Sequence, residues 1–123
     1  MYDDFEEGII PIIRLRKVLL VPIQVPPSDS QAQHLLERIL KDLRRGTHRI
    51  LIIDVSSLDM IDSYLTRIFY DIAQAAKSLG VVSGLVGIQP AVAITLVQMG
   101  IGKLNVQTFL NLDDAIECLE ERL

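Results

Sequence analysis

The sequence is poor in the residue types on which most enzymes and metal sites depend. It has one cysteine, two histidines, no tryptophan and only 5% aromatic residues among its 123 positions. The lone Cys118 excludes an intrachain disulfide, and the glutamates around it disfavour a thiolate, so we expect Cys118 to be buried in helix packing. His34 and His48 lack metal-ligand spacing and a third ligand, so we expect no metal site and place both histidines on the surface.

Long apolar runs and basic clusters are also scarce. No run reaches the roughly 18 residues that a membrane span needs, and the acidic start of the chain is unlike a basic secretory leader, so we expect a cytoplasmic protein with no membrane partner. The net charge is -4 at pH 7 and the pI is near 5.0. The one basic cluster, at Arg44, Arg45, His48 and Arg49, is too short to predict nucleic-acid binding.

Known catalytic and nucleotide-binding motifs are missing too. There is no G-x-S-x-G elbow, no glycine-rich dinucleotide turn and no GxxxxGK[ST] loop. Asp54, at the end of an apolar run, resembles the phospho-accepting aspartate of response regulators, but the acidic pair that would bind magnesium is replaced by Arg16 and Lys17. A hydrolase or phosphotransferase using Asp54 and Ser63 would lack a base or metal. We therefore expect no enzymatic activity and no cofactor.

What the chain does have is apolar residues, at 50% of positions, and a mean hydropathy of +0.35. This value is high for a small protein and favours buried subunit contacts, so we expect a homo-oligomer that is at least a dimer. The length suits a single domain over residues 1–123, since no linker, repeat or low-complexity tract interrupts it.

The order of apolar patterns predicts a mixed α/β fold. Residues 9–16 and 18–24 form two adjacent antiparallel strands, and residues 49–55, 81–88 and 103–109 form three more. Helical spacing follows the proline pair at 26–27 and recurs from residue 65, from residue 90 and after Asn111. The prediction is therefore a sheet of about five strands, with four helices packed against it.

Three local features of this pattern leave alternatives open. Pro22 cannot donate to a sheet ladder, so it lies at a bulge or where pairing has lapsed. The first helix is capped by Ser28, Asp29 or Ser30. The helix over residues 90–99 has almost no polar face, so it packs on the sheet or contributes to a subunit contact.

The stretch over residues 50–66 is the best candidate for function, since an apolar strand leads through a polar turn to Asp62 and Ser63. Ser63 could cap the next helix by accepting a hydrogen bond from the amide of Leu65 or Thr66. The same helix start is favourable for a phosphate. A phosphoserine would add about -1.5 to -2 charges beside Asp59 and Asp62, which would change what this surface binds without unfolding it.

Two motifs give the chain a family resemblance. The segment IIDVSSLDMIDSYLTR and the run GIQPAVAITLV that begins at Gly87 resemble the STAS family of anti-sigma-factor antagonists, most closely its stressosome scaffold subunits, over essentially the whole chain. The resemblance implies a STAS fold that assembles with larger, sensor-bearing paralogues of the RsbR type. It also implies capture of a serine kinase of the RsbT type, which phosphorylates Ser63 and is then released.

The resemblance also sets the expected partner surface. Simple antagonists carry Asp-Ser-Ser-Gly at this site, whereas here Tyr64 and Leu65 follow Asp62 and Ser63, which favours the stressosome branch. The residues expected to meet the kinase are Asp59, Asp62, Ser56, Ser57, Tyr64 and Arg67. Ser56 and Ser57 in the same turn remain rival phosphorylation sites.

Three other functions stay open at this point. The chain could bind an anti-sigma kinase directly as an antagonist, or it could be a small-ligand or nucleotide-binding STAS module. The latter would need a convergent pocket with phosphate-cradling glycines, which the sequence does not show. A third possibility is the cytosolic domain of an anion transporter.

Overall fold

The sheet and helices follow the predicted order. The structure, a computed structural model, describes residues 10–100 and 106–123. Its elements, in chain order, are β1 (Ile13–Leu15), β2 (Val18–Pro22), α1 (Asp29–Leu43), β3 (Ile50–Asp54), α2 (Ser63–Ser78), β4 (Val82–Val86), α3 (Pro90–Gln98), β5 (Gln107–Phe109) and α4 (Leu112–Glu120). The five-stranded mixed sheet with four helices confirms the predicted STAS-type α/β architecture.

Strand order in the sheet is the same as strand order in the chain. β1 and β2 form an antiparallel hairpin, while β2 to β5 are all parallel. Helical crossovers connect the parallel strands, as parallel pairing requires. All four parallel strands therefore end at the same edge of the sheet, where the β3–α2 and β4–α3 loops lie side by side.

Pro22 is the last residue of β2 and lies where pairing on one side has ended. The amide of Ile23 donates to Asp54 O at 2.9 Å, so by alternation the nitrogen of Pro22 faces the β1 side. The β1 partner of β2 reaches only as far as Leu20. Of the two alternatives, lapsed pairing is correct, and the missing N–H leaves no gap in the ladder.

Two apolar layers cover the sheet. On one face, Leu19, Leu51 and Ile53 pack with residues of α1 and α2, such as Ile39 and Ile72. On the other face the neighbouring residues of the same strands pack against α4, in a cluster of Val18, Ile50, Ile52, Val86, Ala115 and Leu119. The strands are apolar on both sides because helices cover both sides.

The helix boundaries follow from their caps. Ser28 is the N-cap of α1, in a capping box with Gln31. Asn111 caps α4 by accepting from the amide of Asp114 at 2.9 Å, as predicted. In α3 only Val92 and Leu96 are buried, which shows that this apolar helix packs on the core along one narrow side.

Two sequence expectations about single residues are wrong. His48 is not on the surface: it is only 5% exposed, and its Nδ1 lies 2.7 Å from the carbonyl oxygen of Arg16. Cys118 is only half-buried, with its Sγ 3.6 Å from Oε1 of Gln107. Residues 103–105 of the predicted last strand lie outside the described residues.

Within residues 10–100 and 106–123, no helix is long and apolar enough to cross a membrane. The same part of the chain contains no group of three or more His, Cys, Asp or Glu side chains that could hold a metal ion.

Candidate functional site

The β3–α2 turn, residues 55–62, is held tightly to the end of the sheet. Asp54 accepts a hydrogen bond from the amide of Ser56 at 2.9 Å, so its carboxylate organises the turn. The amide of Val55 continues the sheet by donating to Val86 O at 3.0 Å, and the side chain of Leu58 is fully buried beneath the turn. The anchors leave Ser56 and Ser57 exposed at the surface.

Asp62, and not Ser63, caps helix α2. Its Oδ1 accepts from the amide of Leu65 at 2.8 Å, and its backbone carbonyl accepts from Oγ1 of Thr66 at 2.9 Å. Ser63 is the first residue inside the helix and is exposed. The expectation that Ser63 caps the helix is therefore wrong, because Asp62 occupies the extended N-cap position and its carboxylate already accepts from the amide three residues on, while Ser63 is the first helical residue.

Within the part of the chain that the structure describes, the hydroxyl of Ser63 therefore takes no part in the helix cap or in the turn. Its hydroxyl forms no hydrogen bond to another described residue. The hydrogen bonds that hold the turn are instead accepted by Asp54 and Asp62. A side chain that is exposed, uncommitted and fixed by its backbone at a helix start is available for modification.

The charged groups near Ser63 have both signs. Asp59 and Asp62 precede it in the turn and are exposed. Arg67 lies four residues on, hence on the same side of α2; its side chain is 74% exposed, and its Nε is 3.5 Å from Oδ1 of Asp71. The weak pairing leaves this guanidinium free to turn towards a new anion.

Tyr64 has a different position from the other predicted contact residues. It is half-buried against the core, and its hydroxyl donates to Oε1 of Gln33 on α1 at 3.4 Å. The structure thus brings Ser56, Ser57, Asp59, Asp62, Ser63 and Arg67 to the surface on one continuous segment. Tyr64 joins that segment to α1.

A second loop, between β4 and α3, supports the turn from the side. Gly87 has φ of +77°, and a Cβ placed on it would lie 2.5 Å from Cβ of Ser56. Nε2 of Gln89 donates to the carbonyl oxygen of Ser56 at 2.8 Å. In the sequence the GIQP motif is only a family signature, and local pattern does not predict its contact with the turn because Gln89 is 33 residues away from Ser56.

The structure also contains an apolar groove between α3 and β5. It has a volume of about 440 Å³ and is lined by Leu85, Ile88, Ala93, Leu96, Val97, Val106, Thr108, Phe109 and Leu110. Among the described residues that line it, Thr108 is the one polar side chain and none is charged, so these residues offer no charged group to a nucleotide.

Comparison with known proteins gives the chain a family. The model of the STAS domain matches residues 10–115. A relative from Bacillus subtilis (strain 168), the RsbT co-antagonist protein RsbRB, is 31% identical over 107 residues, which are 86% of this chain and 39% of the relative. The chain spans about two fifths of the length of the first curated relatives that it matches.

Two solved structures match nearly end to end. One is RsbS from Moorella thermoacetica with a serine-to-glutamate substitution, at a TM-score of 0.81 and 31% identity over 92% of this chain and 96% of that one. The other is one chain of the solved stressosome structure. It matches at a TM-score of 0.76 and 31% identity over 91% of this chain and 97% of that one. The fold is therefore that of the anti-sigma-factor antagonists, close to RsbS and the stressosome.

Proposed function

Because this chain belongs to the STAS domain family, we propose that it is a non-enzymatic scaffold subunit of a stressosome that holds a serine kinase of the RsbT type. Phosphorylation of Ser63 releases the kinase, which then acts in a stress-response or related signalling pathway. The larger partner in the assembly is a STAS paralogue of the RsbR type. The observation that carries the proposal is the exposed Ser63 hydroxyl, left uncommitted because Asp62 caps the helix.

The position of Ser63 makes a phosphate compatible with the fold. At the first position of α2, the phosphate meets the positive end of the helix dipole, worth about 0.3–1 kcal/mol. Arg67, one turn on, can swing from Asp71 to the phosphate. Asp59 and Asp62 repel it, so the opposing terms nearly cancel and the domain stays folded.

The same charge change alters the surface that a kinase would contact. Before phosphorylation, the turn and the first residue of α2 present three hydroxyls and two carboxylates; afterwards they carry about -1.5 to -2 further charges in the same place. A partner that approaches Asp59 and Asp62 closely then meets like charge at the centre of its contact. Release follows from repulsion at the interface and needs no rearrangement of the sheet.

The relatives support this proposal. The name of RsbRB describes an RsbT co-antagonist, and the similar RsbS structure carries glutamate in place of a serine. That substitution adds a negative charge, as a phosphate does. Both facts fit a family in which charge on a serine controls a kinase contact.

The test of the site is phosphate mapping. The protein is incubated with Mg-ATP and an RsbT-type kinase, and intact and peptide masses are recorded for the wild type, Ser63→Ala and Ser57→Ala. We expect one phosphate on the Ser63 peptide, absent in Ser63→Ala and retained in the exposed control Ser57→Ala. Phosphate that persists on Ser56 or Ser57 in Ser63→Ala would show that the site is wrong.

The test of the switch is kinase binding. By calorimetry, Ser63→Glu should bind the kinase at least about tenfold more weakly than wild type, whereas Ser57→Glu should change the affinity much less. If both substitutions weaken kinase binding equally, the kinase contact is sensitive to negative charge anywhere in this segment, and Ser63 is not the specific switch position. Incubation with ATP alone should leave the mass of the protein unchanged, as expected for a non-enzymatic subunit.

A further inference from the structure

The outer ridge of α2 carries Ser63 and Tyr70 in line. The buried residues of this helix, such as Ile68 and Ile72, define its inner side. At about 100° per residue, Ser63 and Tyr70 leave the helix within about 20° of each other and away from that inner side, and a rise of about 1.5 Å per residue separates them by about 10 Å along the axis. Tyr70 is 41% exposed. An aromatic ring therefore lies two turns from the candidate phosphorylation site, on the same exposed ridge.

Met60 is an exposed apolar residue on the other side of Ser63 in the chain. Its side chain is 68% exposed, although it lies in the turn just before the Asp62 cap. Its apolar neighbours behave differently, since Leu58 is fully buried and Ile61 is only 9% exposed. Because the buried neighbours hold the backbone before and after it, the turn presents the Met60 side chain to solvent from a fixed place.

Met60 and Tyr70 are of residue types that protein–protein interfaces favour. Interface cores are enriched in aromatic residues, methionine and arginine, and depleted of lysine, aspartate and glutamate. The exposed Arg67 lies between Ser63 and Tyr70 on the same side of α2. A single exposed apolar side chain is ordinary on a protein surface. Two of them that bracket a candidate phosphorylation site, with an arginine between, indicate a contact surface for another protein.

A kinase that reaches Ser63 would cover both residues. An interface of standard size buries about 800 Å² on each partner, which corresponds to a disc of about 16 Å radius. Tyr70 lies about 10 Å along the helix from Ser63. Met60 is three residues before Ser63, and three residues of chain span at most about 11 Å. The matching partner surface therefore has an apolar pocket on each side of the centre that transfers the phosphate.

We propose that Met60 and Tyr70 are the two apolar anchors by which the serine kinase binds this subunit. This inference rests on the proposed function and adds to it the residues that supply affinity and specificity for the kinase. The exposed Asp59 and Asp62 flank Met60 as a polar rim, so bound kinase shields the apolar contact from water. A phosphate on Ser63 then adds its charge between the two anchors, where it opposes their binding.

Kinase affinity tests the anchors directly. It is measured by calorimetry on the full chain in the Ser63→Ala background and without ATP, so that no phosphate is transferred to this position. We expect Met60→Ala and Tyr70→Ala each to weaken binding at least about tenfold, as truncation of an interface hot spot does. Met60→Leu and Tyr70→Phe keep the apolar volume and should bind nearly as tightly as the parent. Leu79→Ala removes an exposed leucine at the far end of α2 and is the matched control, with unchanged affinity.

Phosphorylation kinetics distinguish the anchors from the phosphorylation site. With Ser63 intact, loss of either anchor should raise the KM of the kinase for this subunit at least about tenfold and leave kcat within about twofold, because the anchors contribute equally to ground-state and transition-state binding. Phosphate on Ser63 with KM and affinity unchanged in Met60→Ala and Tyr70→Ala would overturn the anchors alone. Weaker binding of these variants, with no phosphate on Ser63 in the wild type, would support the anchors and overturn the switch.

Three further results would contradict the proposal. Equal weakening by Leu79→Ala would show that affinity does not depend on the two positions, and a kinase that does not bind the wild type would overturn the proposed function as well. Dissociation of an oligomer of the chain by Met60→Ala or Tyr70→Ala in sedimentation, with unchanged kinase affinity, would make a second copy the occupant of the ridge. Thermal unfolding by circular dichroism checks that each variant is folded, and since both positions are exposed, the Tm should stay close to that of the wild type.

Discussion

Gln89 donates a hydrogen bond from Nε2 to the backbone carbonyl of Ser56 at 2.8 Å, and this bond ties the β4–α3 loop to the turn that carries the candidate switch. The bond uses the main chain of Ser56, so the hydroxyls of the turn remain exposed. Because Gln89 also precedes the first residue of α3, the start of that helix and the turn before α2 are coupled. The glutamine in the GIQP motif is therefore a support of the turn.

Gln89→Ala should increase the local mobility of the turn while it lowers the free energy of unfolding of the whole domain only slightly. Loss of one partly exposed hydrogen bond costs about 0.5–1 kcal/mol of unfolding free energy, measured by urea denaturation. Hydrogen exchange at the Leu58 amide, which donates to Val55 O at 3.0 Å, should accelerate. Gln89→Glu keeps the size but cannot donate, so it should behave like Gln89→Ala. Unchanged exchange in both variants would show that the bond does not hold the turn.

Gly87→Ala should be far more damaging than Gly46→Ala. Both glycines have positive φ, at +77° and +79°, so both substitutions carry a backbone cost of about 1 kcal/mol. At Gly46 nothing lies within 4 Å of the added Cβ, whereas at Gly87 it would lie 3.0 Å from Cα of Ser56. The overlap adds about 1–3 kcal/mol, measured as the difference between the two urea midpoints. Equal midpoints would contradict the close approach of the two loops.

Substitutions at Asp62 and at Ser63 should differ in their effect on the free energy of unfolding. Asp62→Ala removes the cap of α2 and should cost about 1 kcal/mol, while Asp62→Ser keeps a capping oxygen and should cost only a few tenths of that. Ser63→Ala should lie within about 0.5 kcal/mol of wild type, since its hydroxyl has no partner in the described part of the chain. A larger loss in Ser63→Ala than in Asp62→Ala, by thermal unfolding, would reverse the assignment of the cap.

Arg16→Asn should stabilise the fold. Arg16 has φ of 54°, and asparagine tolerates this left-handed conformation better than arginine, so we expect a gain of about 0.5–1 kcal/mol in unfolding free energy, measured by urea denaturation. Arg49→Asn removes the same charge outside the turn and should give no such gain. If the free energy of unfolding of Arg16→Asn is no greater than that of Arg49→Asn, the left-handed conformation of Arg16 does not destabilise the protein.

Much of this protein is determined locally. The element order and the cap at Asn111 follow from apolar spacing and from short side-chain reach, both of which involve neighbours in the chain. The family motifs in residues 52–67 and 87–97 likewise indicate the STAS fold, which the matching family model shows. Local periodicity carries this information because each element must bury one side.

The errors came from places where two local solutions compete or where distant segments meet. Asp62 and Ser63 are both good caps, and only the backbone geometry of the turn selected Asp62. Histidine occurs both at surfaces and in interiors, and the burial of His48 under the Arg16 turn depends on a partner 32 residues away in the chain. The sequence pattern alone therefore does not show which residue caps α2 or whether His48 is buried.

The sequence by itself determined the fold class, the strand–turn–helix segment with its exposed serine, and the absence of familiar catalytic motifs, because these rest on residue type and spacing. The tertiary structure decided which side chains share a surface. It joined Gln89 and Gly87 to the turn at one end of the sheet and brought Arg49 into contact with Lys17 at the other. Parallel strand pairing is the physical reason, since it brings together loops that helical crossovers separate in the chain.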